Sequence, residues 1–180
     1  MSTQFDICMI VHNDLIHDGR VLKEATSLTQ QGWKVAVLGI SLGDEIYPEH
    51  EEFNGFTIYR VTPKLFRNLF PGRLGLLLPL IPMLPAMSIQ LRKIKARMYH
   101  AHDFPALLQI RMTWLSRPAF IYDSHELFFD RPLPDLPRPI EWLIKSMKLL
   151  EKPFAKRAEA LITVNDSIAE ILSNKLSISR

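Results

Sequence analysis

The stretch Ile7-Cys8-Met9-Ile10-Val11 decides the fold of this chain. Its apolar residues follow one another without alternating with polar ones, which predicts a β-strand covered on both faces, as in a parallel sheet. A polar loop over residues 12–19 comes next, and Val21, Ala25 and Leu28 are then spaced as the apolar face of a helix. This order of strand, loop and helix recurs along the chain.

Similar apolar runs predict five further strands, at residues 35–40, 56–61, 98–101, 119–122 and 160–164. The segments between them predict helices, at residues 21–28 (with a cap at Gly32), 87–96, 103–115, 140–157 and from 165 onward. Strands that alternate with helices predict an α/β domain with a doubly wound, mostly parallel, Rossmann-like sheet. In such a sheet, ligands bind beyond the carboxyl ends of the strands.

Local features add detail to the predicted helices. Pro153 predicts a kink in the long fourth helix, or its division in two. Ser167 and Glu170 have the spacing of a capping box at the start of the last helix. Asp103 is placed to cap the helix that follows the fourth strand.

Composition fits one soluble globular domain over residues 1–180. Hydrophobic residues make up 47% of the chain and charged residues 23%, and the net charge of +3 is too small to indicate nucleic-acid binding. The single cysteine, Cys8, cannot form an internal disulfide, which favours a reducing, cytoplasmic compartment. The first residues lack the basic start and apolar core of a signal peptide.

An apolar, proline-rich insertion at about residues 64–90 raises the question of a membrane. Its most apolar part, Leu74–Ile89, is shorter than the ~20 residues that a spanning helix needs, and it contains three prolines. Basic residues flank it, so one interpretation is peripheral contact of residues 64–97 with an anionic membrane surface on the inner face of the membrane. The other interpretation is a buried loop and helix start, and both stay open.

Polar side chains gather where the predicted strands end. They follow the first strand (Asp14, Arg20), the fourth (residues 100–103) and the fifth (residues 123–126). Because the carboxyl ends of parallel strands lie at one edge of a sheet, these residues are candidates for one site. In the first loop, a capping role for Asp18 and a solvated position for Arg20 are equally good explanations.

A metal site is the remote alternative. His100 and His102 are two residues apart on a strand, so both can face one way. With Asp103, His125 and Glu126 they form nitrogen and oxygen donors that suit zinc or manganese in a metal-dependent hydrolase. The chain has no HExxH or paired CxxC motif, and we predict no metal and no cofactor.

The patterns of a serine hydrolase elbow, a dinucleotide-binding loop and a Walker A loop are also absent from the sequence.

Four segments, in order, resemble the N-terminal part of family 4 glycosyltransferases. They are DGRVLKEA (residues 18–25), YHAHD with Pro105 (from residue 99), YDSHELF (residues 122–128) and AEALITVNDSIAE (residues 158–170). The resemblance implies the GT-B fold, with two Rossmann-like domains facing across a cleft. It also implies sugar transfer with retention of configuration and no metal requirement.

On this resemblance, His125 is the catalytic-site residue that reaches the transferred sugar from the N-terminal side. Asp14, Arg20, His102, Asp103 and Glu126 are expected to line the acceptor side of the cleft, where a sugar or a lipid-linked sugar would bind. The nucleotide-sugar is a co-substrate, held mainly by a C-terminal domain that these 180 residues do not contain.

That domain of the family carries a glutamate pair spaced E-x7-E. Glu151 and Glu159 have this spacing, but they lie in the wrong part of the pattern, and a solvated helix face explains them more simply. Without preorganised positive charge for the leaving diphosphate, the chain alone is expected to be a poor transferase. The alternatives are a non-catalytic module that binds an acceptor or partner, and one half of a split transferase whose C-terminal domain is a separate chain.

Overall fold

The computed structural model describes residues 4–41, 47–62, 80–113, 118–125, 127–130 and 138–177. These residues form one seven-stranded sheet with helices on its two faces. The strands are β1 Phe5–Ile10, β2 Val35–Ile40, β3 His50–Phe53, β4 Phe56–Val61, β5 Ala96–His102, β6 Phe120–Ser124 and β7 Ala160–Thr163. The helices are α1 Gly19–Gln30, α2 Leu80–Lys93, α3 Asp103–Thr113, α4 Arg138–Ala155 and α5 Asp166–Leu176, and a 3₁₀ turn spans Phe128–Asp130.

The strand order across the sheet is β3-β4-β2-β1-β5-β6-β7. Neighbouring strands are parallel except for β3, which pairs antiparallel with β4. The predicted doubly wound, mostly parallel sheet is therefore confirmed. The chain runs outward from β1 to β4, returns to β5 beside β1, and then runs outward to β7. This reversal leaves a crevice at the carboxyl ends of β1 and β5, which is where ligands bind in such sheets.

Two separate apolar clusters cover the two faces of the sheet. On one face, α1 contributes Val21 and Ala25 to a cluster that includes Met9 of β1. On the other face, helices α2 to α5 form a larger cluster that includes Ile10 of β1 and Leu107 of α3. Successive residues of β1 thus serve opposite faces, as the pleat of a strand requires.

The same alternation decides which residues of β5 and β6 can form a site. Tyr99 and Ala101 belong to the cluster under α2–α5, so His100 and His102 lie on the face that carries α1. The parallel register of β5 and β6 places Asp123 beside His102. Two histidines and an aspartate are therefore brought together on the α1 face.

Strand β3 was not predicted from the sequence. His50–Phe53 reads HEEF, and its residues alternate between exposed and intermediate positions at the edge of the sheet. An edge strand with one wet face has no continuous apolar run to reveal it.

The helix predicted over residues 87–96 begins earlier, at Leu80, and ends at Lys93. The predicted start was too late because the prolines were read as breaks: Pro82 lies in the first turn, where a missing N–H costs no helical hydrogen bond, and the helix also continues through Pro85. Met83, Met87 and Leu91 are buried in the core. This part of the apolar insertion is therefore the buried helix start, and residues 64–79 lie outside the described residues.

Three further predictions about the helices differ from the structure. Helix α4 is not divided at Pro153 but runs on to Ala155, and the alternative of a kink at Pro153 stays a prediction. The N-cap of α5 is Asn165, whose side chain accepts from the Ile168 N–H at 2.9 Å, rather than Ser167. Glu151 does not lie on a solvated face: it is buried and accepts a 2.9 Å hydrogen bond from the Tyr122 hydroxyl.

None of the helices described above combines the length and the apolar character that crossing a bilayer requires.

Candidate functional site

The loop after β1 is held in place by its own side chains. Asp18 Oδ1 caps α1 by accepting from the Val21 N–H at 3.3 Å, and Asp18 Oδ2 accepts from Asn13 Nδ2 at 2.8 Å. The Asn13 carbonyl accepts from the Ile40 N–H at 2.9 Å, which ties the loop to β2. The predicted capping role of Asp18 is thus confirmed.

Gly39 of β2 makes this close approach possible. A Cβ at this position would lie 2.8 Å from the Asn13 carbonyl oxygen and 3.2 Å from Leu15 Cδ1, which is closer than packed atoms approach. The absence of a side chain at Gly39 therefore allows the loop to lie against the sheet, because any side chain would push the loop away.

A buried arginine fixes the other side of the loop. Arg60 of β4 has only 2% of its side chain exposed, and its Nε donates to the Asp14 carbonyl at 3.1 Å. Its other end donates to Glu51 Oε2 at 2.6 Å and to the Pro48 carbonyl at 3.2 Å. A charged group this deeply buried is stable only with such partners, so the loop is held by a strong, directional contact.

A cluster of imidazoles around one carboxylate lies next to this loop. Asp123 Oδ2 is 2.9 Å from His125 Nε2, and it is 3.6 Å from both His100 Nε2 and His102 Nδ1. His102 Nδ1 and His125 Nε2 are 3.3 Å apart. Glu24 of α1 closes the cluster, with Oε1 3.2 Å from His100 Nδ1. Asp123 and the three histidines around it are buried, whereas Glu24 is half-buried.

The charges of this cluster are unevenly distributed. Burial opposes the charged form of His100, but the contacts with Asp123 and Glu24 outweigh burial and raise the pKa of His100 to about 9. Burial and the neighbouring charge of His100 lower the pKa of His102 to about 2. Burial opposes the ionised form of Asp123, yet the contacts from His100 and His125 hold its pKa well below the usual range. Near neutral pH the cluster therefore contains an ionised Asp123, a charged His100 and a neutral His102.

A cavity of about 170 Å³ lies at the carboxyl ends of β1 and β5, in the crevice described above. A wider depression of about 400 Å³ continues from it over the loop after β1. The residues that line the two spaces are Val11, His12, Asn13, Asp14, His17, Asp18, Gly19, Arg20, His102, Asp103, Pro105 and Phe128. Carboxylates, an amide, imidazoles and a guanidinium thus surround the opening.

Asp14, Arg20, His102 and Asp103, predicted as acceptor-side residues, all line these spaces. The Asp103 carboxylate accepts from the His125 N–H at 3.2 Å, and Asp103 adopts a left-handed φ of 64°, which aspartate tolerates better than most residues do. His125 itself lies behind His102, with 7% of its side chain exposed. Glu126 lies outside the described residues. The roles of these residues stay predictions.

Two residues of this region had no predicted role of their own. Asp123 was a candidate only as part of residues 123–126, but it is the centre of the imidazole cluster. His12 was not singled out, although it lines the smaller cavity. The residue is half-buried, and both of its ring nitrogens are buried without a hydrogen-bond partner among the described residues. Burial lowers the pKa of His12 to about 4. Its position directly after the first buried strand was the available signal.

A second, larger space of about 550 Å³ lies beside β7, the strand at one side of the sheet. It is lined by the end of α4, by β7 and by α5, including Lys156, Glu159 and Thr163. None of its lining residues lines the crevice, so ligand binding in this space can be distinguished from ligand binding in the crevice.

Comparisons with known proteins identify the family of the chain and structures with a similar fold. The family model described as glycosyl transferase 4-like domain matches residues 19–180. Among solved structures, sucrose-phosphate synthase from Thermosynechococcus elongatus is similar over 96% of this chain and 45% of its own, with 16% identity and a TM-score of 0.64. A second structure of that synthase matches over 93% of this chain and 80% of its own, with 16% identity and a TM-score of 0.61.

A third structure, described as trehalose-6-phosphate from E. coli bound with UDP-2-fluoro glucose, matches over 94% of this chain and 43% of its own. Its identity is 14% and its TM-score 0.52. At such identities these likenesses show the fold alone. The chain spans less than half the length of the first and third of these proteins. No curated protein matches the sequence.

Proposed function

Since the chain belongs to the glycosyl transferase 4-like domain family, we propose that it is the acceptor-side domain of a glycosyltransferase that retains the configuration of the transferred sugar. The membership confirms the resemblance drawn from the sequence. The acceptor, the stereochemistry and the need for a second domain are parts of the proposal.

One observation carries this proposal: the polar cavity at the carboxyl ends of β1 and β5. It coincides with the crevice where doubly wound sheets bind ligands, and its lining comes from two strand ends that the sheet holds rigidly. Its side chains suit hydroxyl groups. Asn13 offers an amide and Asp103 a carboxylate, while an uncharged His12 can accept or donate a hydrogen bond.

His125 would act from its position behind His102, next to the cavity rather than in its lining. Its Nε2 is held by Asp123 Oδ2 at 2.9 Å and its main-chain N–H by Asp103, so the ring is fixed from two sides. Its Nδ1 is buried and has no hydrogen-bond partner within the described ranges. A fixed ring with one uncommitted nitrogen is suited to holding a hydroxyl group of the transferred sugar.

Arg20 stands on the open side of the same site. Its side chain is 42% exposed, and its guanidinium is 3.9 Å from Asp18 Oδ2, so it can reach an anionic group of an acceptor such as a phosphate. The nucleotide-sugar would lie on a facing domain that supplies the positive charge for the leaving diphosphate. The chain's own contribution is to bind and orient the acceptor and the transferred sugar.

A lipid-linked acceptor remains part of the proposal. Lys93, Lys95 and Arg97 are exposed after the buried part of α2. They would suit the anionic head groups of a peripheral, inner-face membrane contact.

A transfer assay tests the proposed function. The chain, joined to or mixed with a nucleotide-sugar domain, is supplied with labelled nucleotide-sugars and a panel of sugar, sugar-phosphate and lipid-linked acceptors. We expect transfer in its presence and a reduction of at least roughly ten-fold with His125→Ala, a loss typical of a misplaced binding group. His50→Ala, an exposed histidine at the distant edge of the sheet, is the matched control and should not change turnover.

The outcomes separate the alternatives. If an acceptor binds but no sugar is transferred to it, with the nucleotide-sugar domain either joined to the chain or mixed with it, a non-catalytic binding module is favoured. Transfer only with a separate C-terminal chain would favour a split enzyme. Full turnover of His125→Ala would show that the role assigned to this histidine is wrong.

A further inference from the structure

We propose that the side of α4 that faces away from the sheet is a contact surface for an anionic lipid bilayer. This surface, the outer face of α4, combines exposed apolar side chains with a row of lysines. It is distinct from the basic residues 93–97 that follow α2. Binding of α4 to lipid does not rest on the proposed sugar transfer.

The outer face of α4 exposes large apolar side chains to water. Leu149 is 77% exposed and Trp142 72%, the two highest values among the large apolar side chains in the described part of the chain. Leu143 and Leu150 are 55% and 39% exposed. Each of these two pairs is seven residues apart, so the members of a pair lie two turns from each other on the same side of the helix. Apolar residues that are exposed singly are ordinary, but a contiguous group marks an interaction site.

Helix α4 buries a different side in the core. Met147 and Phe154 pack against the larger apolar cluster, and Ala155 is buried. At 3.6 residues per turn, these residues lie roughly opposite Trp142 and Leu149. Packing within the described ranges therefore explains the inner side of α4 but not the apolar residues of its outer face.

A row of basic residues runs beside the apolar ones. Its members are exposed, and they follow one another at spacings of three or four residues along α4 and into the turn after it: Lys145, Lys148, Lys152 and Lys156. Residues 138–157 contain six basic residues and two acidic ones, and one of the acidic residues, Glu151, is buried. The surface that fits the outer face of α4 should therefore be both anionic and apolar.

The local partners of the lysines leave this row available. Lys145 pairs with Glu141 at 2.5 Å and Lys148 with Asp130 at 3.0 Å, but both pairs are exposed, and exposed pairs contribute little to stability. Lys152 donates to an uncharged partner, a serine hydroxyl, at 2.8 Å. The lysines can therefore exchange these partners for lipid phosphates at little cost.

A bilayer fits this combination better than a second copy of the chain. When a helix lies flat on a membrane, its apolar side chains enter the boundary between head groups and acyl chains, while its lysines reach the anionic head groups. Tryptophan, here Trp142, is favoured at this depth. A second copy would present the same excess of positive charge, and like charges that face each other disfavour association.

The direction of α4 links this contact to the crevice. Helix α4 connects the parallel strands β6 and β7, so it runs back along the sheet and begins near the edge where the carboxyl ends of the strands lie. Trp142 is close to that beginning. With the outer face of α4 on a bilayer, the crevice edge would stand near the lipid surface, where a lipid-linked acceptor would arrive. This consequence, unlike the contact itself, rests on the proposed function.

Sedimentation with lipid vesicles tests the inference. The chain is mixed with vesicles of phosphatidylcholine alone, and with vesicles of phosphatidylcholine and an equal amount of phosphatidylglycerol. We expect binding to the mixed vesicles that weakens with salt, and little binding to the neutral ones. The double substitution Trp142→Ser and Leu149→Ser should weaken binding at least roughly ten-fold, because it removes the apolar anchors. Lys145→Gln should weaken it roughly five-fold, as expected for one lysine near an anionic surface.

Matched controls lie on and after α1, which covers the other face of the sheet. Trp33 and Lys23 are exposed there, so Trp33→Ser and Lys23→Gln should leave vesicle binding unchanged. Lys95→Gln, in the basic segment after α2, should weaken binding less than Lys145→Gln does. Circular dichroism should show an unchanged fold for each variant, because every substituted side chain is exposed.

Several results would overturn the inference. They are no sedimentation of the wild-type chain with the mixed vesicles, wild-type binding by the Trp142→Ser and Leu149→Ser variant, and an equal loss with Trp33→Ser. Light scattering examines the other occupant: a dimer that Leu149→Ser dissociates would assign the outer face of α4 to a second copy instead. The vesicle assay contains no nucleotide-sugar, so its failure would leave the proposed transfer reaction standing.

Discussion

The charge of His100 leads to a specific dependence of stability on pH. The contacts with Asp123 and Glu24 raise its pKa from 6.5 to about 9 in the folded chain. Because the folded pKa is the higher one, the stabilisation is fully present below pH 6.5 and is lost as the pH rises through about 9. The difference between the two values corresponds to about 3 kcal/mol, at about 1.4 kcal/mol for each pH unit.

About half of this stabilisation should be lost within a pH range in which unfolding is simple to measure. Between about pH 6.5 and about pH 8.0, the rise in pH should lower the free energy of unfolding by about 1.5 kcal/mol through its linkage to His100 alone. Glu24→Gln removes one of the two partners, so the loss over the same range should be clearly smaller. The range ends at about pH 8.0 because burial raises the pKa of the Cys8 thiol, and above its usual pKa this group adds its own loss of stability.

Urea unfolding followed by circular dichroism, with a chelator in every buffer, measures this effect. His50→Gln is the control, because His50 is 59% exposed and should leave the slope unchanged. If wild-type stability is constant from about pH 6.5 to about pH 8.0, or if Glu24→Gln has the wild-type slope, the account of the cluster is wrong. Burial lowers the pKa values of His12 and His102, so these two groups act in the opposite direction: they raise stability as the pH rises through about 6.5, which offsets part of the loss due to His100, and they cause a fall in stability toward lower pH.

Three further substitutions, each measured by urea unfolding, probe two contacts of the loop after β1 and the cap of α5. Gly39→Ala should lower the free energy of unfolding by about 1–3 kcal/mol, because the new Cβ would lie 2.8 Å from the Asn13 carbonyl oxygen. Gly19 has open space around it, so Gly19→Ala should leave the free energy of unfolding unchanged. Equal effects of the two substitutions would contradict the proposed close approach of the loop to β2. Arg60→Met should cost about 2 kcal/mol through its lost charged hydrogen bonds, and an unchanged stability would mean that the loop is held elsewhere. Asn165→Ala should cost about 1 kcal/mol by removing the cap of α5, and no cost would reject that cap.

The sequence predicted the central strands of the sheet well, because they are buried on both faces. Residues 35–40 and 56–61 were predicted with the bounds of β2 and β4. Continuous apolar runs mark such strands without any knowledge of their neighbours. Strand β3 gave no such signal, because an edge strand needs only one neighbour and tolerates charged residues.

The composition of the site was harder to predict, because it depends on register. The sequence showed that polar groups follow the strands, and four of the expected acceptor-side residues do line the crevice. It could not show that His102 is paired with Asp123, which decides that Asp123 and not Asp103 lies among the imidazoles. Glu151 was misjudged for a related reason: only the packing of α4 on β6 shows that it meets Tyr122.

The most direct test of the central claim is to find where a sugar binds. A ¹⁵N-labelled sample of the chain is titrated with neutral sugars, sugar phosphates and a lipid-linked sugar, and amide shifts are mapped by NMR. The account predicts saturable shifts at Asn13, Arg20, His102 and Asp103 with at least one of these ligands, and their loss in Arg20→Ala when the ligand carries phosphate. Shifts confined to the space beside β7, or no shifts with any carbohydrate, would contradict the claim that the crevice between β1 and β5 is an acceptor site.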